Sequence, residues 1–240
     1  MSMFKKKLFG MIILAITLFI PASTIAQNKN TVDKPGTVYL TFDADMTAKM
    51  KRDLDEGKVV SWYSQNLVNY LESEKISATI FVTGMFAEIY PDLIKKMAKY
   101  PNIEVANHTY DHSGFENPCY KLKIIKTDKE KKQEINKTQE ILTTLVGYTP
   151  KFFRYPGLCH NKHDDKLVQK LGLTISDAGL VSGDAFNKKS KMIVKTVLNN
   201  IRDGSTIIMH LGGPNAPSTY TAVKEIVNKL RGKNYILKTL

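Results

Sequence analysis

From residue 37 onward the chain alternates between two hydrophobic rhythms. Residues 38–45, 78–83 and 103–107 are short runs rich in β-branched and aromatic side chains, which predicts strands. Between them the apolar positions recur at helical spacing. Residues 61–73 place Leu67, Val68 and Leu71 on one face, and residues 85–100 do the same with an interruption near Pro91. Residues 126–146 form a longer helix with Ile135, Ile141 and Leu145 among its apolar positions, and Gly147 is placed to stop it. The second half repeats the pattern. Strands are expected at 152–155, 173–176, 206–210 and 235–237, and helices at 164–171, 193–201 and 220–230.

Strands alternating with helices imply an α/β fold with a parallel sheet covered by helices. About seven such units, with no glycine-rich nucleotide loop among them, favour a barrel over an open dinucleotide-binding sheet. The chain has 240 residues, 42% hydrophobic and 24% charged, which suits a single folded domain over 37–240.

The first 26 residues follow another pattern. Lys5, Lys6 and Lys7 precede a largely apolar run at 8–20, and small and polar residues follow to Ala26. That order predicts a secretory signal peptide cleaved after Ala26, with a polar linker at 27–36. The apolar run falls short of the ~20 residues needed to cross a bilayer, so contact with the membrane is expected only before cleavage. An exported protein in the periplasm or outside the cell follows. Cys119 and Cys159 both lie in the mature part. A disulfide is the expectation in an oxidising compartment, with two free thiols as the alternative.

The formal net charge is +12. The lysines are scattered along helical faces, without a basic stripe interleaved with aromatics, so no nucleic-acid partner is expected.

Candidate chemistry gathers where strands end. Asp43 and Asp45 close the first strand two residues apart and so share a face, while Phe42 and Ala44 take the other. Either aspartate alone is an ordinary loop opener; two buried on one face call for a cation or hydrogen bonds. After the third strand, a helical turn would make neighbours of His108 and His112. With a carboxylate they would form a three-ligand metal site that leaves a position open for water. His210 ends the sixth strand, ahead of Gly212-Gly213-Pro214. His160 and His163 are expected to be exposed.

These residues fall in an ordered set. Thr41-Phe42-Asp43, His108-Thr109-Tyr110-Asp111-His112, Phe153-Arg154-Tyr155-Pro156-Gly157 and Ile208-Met209-His210 resemble the motifs of the polysaccharide deacetylases, carbohydrate esterase family four. Residues 78–84 resemble the family's second strand. The resemblance runs from about Val38 to the C-terminus.

The resemblance implies a distorted seven-fold (β/α) barrel and metal-assisted removal of an N-acetyl group from a sugar in an N-acetylated glycan. It implies a divalent metal, zinc or else cobalt, manganese or iron, held by His108 and His112. It makes Asp43 the general base, Arg154 its charged partner and His210 the general acid. Gly157 falls at the oxyanion donor's position, and Tyr155 beside it at the substrate. Two positions depart from the family. Its adjacent aspartates become Asp43-Ala44-Asp45, so Asp45 takes over as metal ligand. Its Asp-Trp pair becomes Asp184-Ala185-Phe186, with Asp184 expected to orient His210. The connection at 49–63 exceeds the family's usual length, and its Trp62-Tyr63 pair is expected to pack against helices. An O-acetyl esterase, a non-sugar amidase or a metal-lacking glycan-binding barrel would share the fold.

Overall fold

The computed structural model describes residues 35–240; the leader expected at 1–26 lies outside them. Eight parallel strands are present among the described residues. They are β1 (Thr37–Ala44), β2 (Ala78–Val82), β3 (Ile103–Asn107), β4 (Phe152–Phe153), β5 (Thr174–Ile175), β6 (Leu180–Val181), β7 (Ser205–His210) and β8 (Ile236–Lys238). Seven of them follow the order β5-β4-β3-β2-β1-β7-β6. β5 and β6 lie at opposite ends of that order, although only Ser176–Gly179 separates them in the chain. The sheet therefore curls into a distorted barrel with its gap at this connection.

β1 is the central strand and has three partners. Residues 38–43 pair with β7 along one edge. The other edge is shared, β8 taking residues 37–39 and β2 residues 41–44.

Eight α-helices cover the sheet among the described residues: α1 (Ala48–Asp55), α2 (Gln65–Ser73), α3 (Gly84–Ile89), α4 (Pro91–Ala98), α5 (Asp128–Val146), α6 (Lys162–Lys170), α7 (Ser190–Asn200) and α8 (Thr219–Gly232). Their ends follow local chemistry. Pro91 opens α4 and splits the helical run expected at 85–100 into two. Thr127 and Glu130 form a reciprocal capping box at the start of α5, and Gly147 ends it at φ 78°.

Two elements were not predicted. α1 carries few apolar residues, only Met50 and Leu54 one turn apart reaching the core, too short a stripe to read from the sequence; Thr47 caps it, and Lys49–Asp53 and Lys51–Asp55 pair along its surface. β6 is only two residues long and half-exposed, too short for any periodicity.

The main core lies between sheet and helices. Val38, Leu40, Phe42 and Ala44 of β1 enter it with the apolar faces of α2, α4, α7 and α8. Trp62 packs there too, its Nε1 donating to the Met50 carbonyl at 2.8 Å. A second cluster around Phe115, Ile135, Phe153, Tyr155 and Leu167 closes the β4–β5 end. With alternate β1 residues committed to the helices, Thr41, Asp43 and Asp45 face the barrel interior.

Candidate active site

Asp43 and Asp45 leave the C-terminal end of β1 and are buried, each only 7% exposed. Two carboxylates at that depth need positive partners, and five side chains supply them or support them.

Arg154, just past β4, is fully buried and donates from Nη1 to Asp43 Oδ1 at 2.7 Å. Its guanidinium stacks on the Phe81 ring 3.9 Å away, and its Nε donates to the Ser176 carbonyl. Fixed on three sides, it holds the Asp43 carboxylate in one orientation.

His108 follows β3 directly. Its Nδ1 lies 2.8 Å from the Arg154 carbonyl, which can only accept, so Nδ1 carries the proton. In the neutral ring Nε2 then presents a lone pair to Asp45 Oδ1, 3.4 Å away. Both atoms are buried without a hydrogen-bond partner. His112 Nε2 approaches the same oxygen at 3.3 Å. The two imidazoles come together through an irregular turn rather than the helical turn expected, with Thr109 at φ 65° and His112 at φ 61°. Hydrogen bonds fix this turn: Thr109 N–H donates to Asn107 Oδ1, and the Tyr110 and Asp111 N–H groups donate to Glu134.

Asp45, His108 and His112 thus offer ligand atoms within 4.8 Å of one another. Unpaired acceptors converging on a buried point are the donor set of a divalent cation, and three ligands leave a fourth position for water. Burial opposes ionisation of Asp45, but the surrounding His112, His108 and His210 reverse that and hold it well below the usual carboxylate range. Burial pushes His112 down to about 4, so it is neutral and able to ligate. His108 is raised: burial works against its charge, and Asp43 and Asp45 outweigh burial.

His210 ends β7 on the other side of Asp43. Its Nδ1 is 2.8 Å from Asp184 Oδ1, and its Nε2 is 3.6 Å from Asp45 Oδ2. Asp184 also accepts from the His210 N–H at 2.8 Å and from the Thr219 hydroxyl at 2.6 Å. Burial disfavours the imidazolium, yet the bond to Asp184 and the charge of Asp45 raise His210 to about 10. It is therefore a proton donor at neutral pH.

Gly157 sits in the turn Pro156–Leu158 at φ 60°. A Cβ there would come within 2.8 Å of Cys119 Sγ and 3.0 Å of the Tyr120 ring, so both conformation and space require glycine. Cys119 and Cys159 are disulfide-bonded, tying the loop beyond His112 to the Gly157 loop.

Tyr155 does not face substrate as expected. It is fully buried against Phe115 and Phe153 and stacks at 4.2 Å on His160. His160 in turn is not exposed but wedged between Asp165 and Asp177, at 2.7 and 2.9 Å. His163 is exposed and pairs with Asp128. Asn107, Glu134 and Thr219 support the site without having been anticipated; each is polar and buried or half-buried, but no motif marks it.

The polysaccharide deacetylase family matches residues 30–176, more than half of the sequence, and the chain belongs to that family. The N-acetylmuramic acid deacetylase PdaC of Bacillus subtilis, which acts on peptidoglycan, is 28% identical over 90% of this chain. A peptidoglycan N-acetylglucosamine deacetylase of Bacillus cereus is 27% identical over 80% of it. The chain spans 44% of the first relative's length and 67% of the second's. Among solved structures, a peptidoglycan N-acetylglucosamine deacetylase superposes with TM-score 0.70 at 26% identity, covering 86% of this chain and 87% of that one.

Proposed function

We propose that this chain is an exported, divalent-metal-dependent hydrolase that removes N-acetyl groups from amino-sugar residues of an envelope or extracellular glycan. The observation that carries the reading is the juxtaposition of Asp45 Oδ1 and His108 Nε2, buried, facing and unpaired, between a carboxylate fixed by Arg154 and an imidazolium fixed by Asp184. The disulfide supports the exported location, because such bonds persist in oxidising compartments.

Asp45, His108 and His112 would hold the metal, zinc being the first choice for one carboxylate and two imidazoles. When bound, it supplies a Lewis acid that polarises the acetyl carbonyl and acidifies water. Asp43, held in place by Arg154, accepts the proton of the attacking water. The Gly157 N–H donates to the carbonyl oxygen as negative charge develops on it. His210 delivers its Nε2 proton to the departing nitrogen, and Asp184 stabilises the imidazolium until then. Amide and water thus become acetate and amine.

The test is acetate release from N-acetylated peptidoglycan and from chitin oligomers by the purified protein. Asp43→Asn and His210→Ala should each lose at least ~100-fold in kcat/KM, as expected for groups moving protons in the transition state. Full activity in Asp43→Asn would end this mechanism.

A further inference from the structure

Beside Asp43, His112 and His210 lies a cavity of about 150 Å3. Apart from these groups and Gly157, its walls are apolar, formed by Tyr120, Leu122, Leu158, Val181, Phe186 and Ile208, with Ala185 completing them. Tyr120 and Phe186 project from different loops, 68% and 74% exposed, and their rings meet at 5.7 Å. The Tyr120 side is held in place. Cys119 before it is bonded to Cys159, and Tyr120 itself sits at φ 42°, a left-handed conformation that a bulky residue adopts only when its surroundings impose it. Exposed aromatics retained in that way at the mouth of a reactive site form a built wall.

An N-acetyl group brings a single methyl to such a wall. A cavity of about 150 Å3 lined by leucine, isoleucine and phenylalanine is large enough to hold benzene, so this one exceeds what acetyl fills. Ala185, beside Asp184, lines the cavity with no more than a methyl, so a larger side chain there would take up part of this space. A pyranose ring suits the cavity less well, because its hydroxyls would find few hydrogen-bonding partners among these side chains.

We propose that this cavity receives the acyl group of the substrate and admits N-acyl chains longer than acetyl, with propionyl and butyryl amides of amino sugars as substrates. The proposal rests on the hydrolase reading above and deepens it. The reaction balances as before: water adds to the amide carbonyl, the C–N bond breaks, the acyl carbon leaves as carboxylate and the amine takes a proton. Each methylene buried against the wall is expected to tighten binding about fourfold, so a butyryl amide, with two more methylenes, gains up to about fifteenfold over acetyl.

The experiment compares chitotetraose carrying N-acetyl, N-propionyl or N-butyryl groups, measuring amine release by wild type, Ala185→Trp and Ala185→Leu. Calorimetric affinities of the same oligomers for Asp43→Asn are measured alongside. In wild type, kcat/KM for butyryl should equal or exceed that for acetyl. The butyryl-to-acetyl ratio should fall tenfold or more in Ala185→Trp and less steeply in Ala185→Leu, which covers the case that the tryptophan variant does not fold. A tenfold preference for acetyl in wild type, or a ratio that neither variant moves, overturns the proposal. If no oligomer releases amine, the acetyl one included, the hydrolase reading has failed and the affinities decide. Tighter butyryl binding then upholds the acyl pocket, and equal, weaker or absent binding refutes it.

Discussion

Arg154 Nη1 donates to Asp43 Oδ1 at 2.7 Å across a separation of 111 residues, and the carbonyl of the same arginine fixes the His108 ring. One residue past β4 therefore orients both the proposed base and a proposed metal ligand. Removing the guanidinium leaves a buried carboxylate uncompensated, which costs about 3–5 kcal/mol where measured. Arg154→Ala should lower Tm by roughly 6–20 °C for a chain of this size and reduce kcat/KM as well. Adding Asp43→Asn to it should recover stability but not activity. Thermal denaturation checks this, and a double variant as unstable as the single would contradict it.

His210 stands at about 10, above its ordinary value, because Asp184 and Asp45 favour the imidazolium despite burial. The sign follows from that direction. A proton donor stays loaded until pH passes its own pKa, so the alkaline limb of kcat/KM should lie well above pH 6.5. Asp184→Asn removes a neighbouring negative charge and should move that limb toward acid. The raised pKa also contributes to stability, fully present below about 6.5 and lost as pH rises toward about 10. A pH–rate profile of the two proteins decides; an unmoved limb would remove His210 from the role of acid.

His108 is raised by Asp43 and Asp45 once burial is overcome, so protons and a cation compete for its Nε2. Metal affinity should climb with pH, and binding should release protons. Calorimetry in buffers of different ionisation enthalpy would show this. Asp45→Asn should weaken binding by more than the ~10–100-fold that outer-shell partners cost. If Asp45→Asn binds zinc as wild type does, Asp45 is not a ligand.

Cys119 and Cys159 close a loop of 40 residues, for which loop-closure entropy gives about 4 kcal/mol. Reduction, or Cys119→Ser with Cys159→Ser, should lower Tm by several degrees. Activity should fall with it, because Gly157 packs against Cys119 Sγ. A reduced protein with unchanged Tm and turnover would show the bond to be dispensable.

Much of this architecture was legible in the sequence, and the exceptions have physical reasons. Strands β1, β2, β3 and β7 were readable because their apolar runs are buried on both faces of a parallel sheet. α1 and β6 carry no such signal: one helix is mostly solvated and one strand has two residues. The period-two argument placed Asp43 and Asp45 together on the interior face, as the fold does. The His108–His112 pair was found by spacing, yet its geometry comes from positive-φ turns held by Asn107 and Glu134, which no periodicity reveals. Tyr155 shows the opposite limit. Its neighbours Arg154 and Gly157 reach the site, while its own ring turns into the second core to meet His160.

The central claim is that Asp45, His108 and His112 hold a cation on which hydrolysis depends. The most direct measurement is elemental analysis of the purified protein, paired with acetate release from N-acetylated peptidoglycan and chitin oligomers before and after chelation. The expected result is about one equivalent of a divalent metal per chain, activity abolished by chelator, and recovery on adding zinc or cobalt. Undiminished acetate release from metal-free protein would contradict the claim.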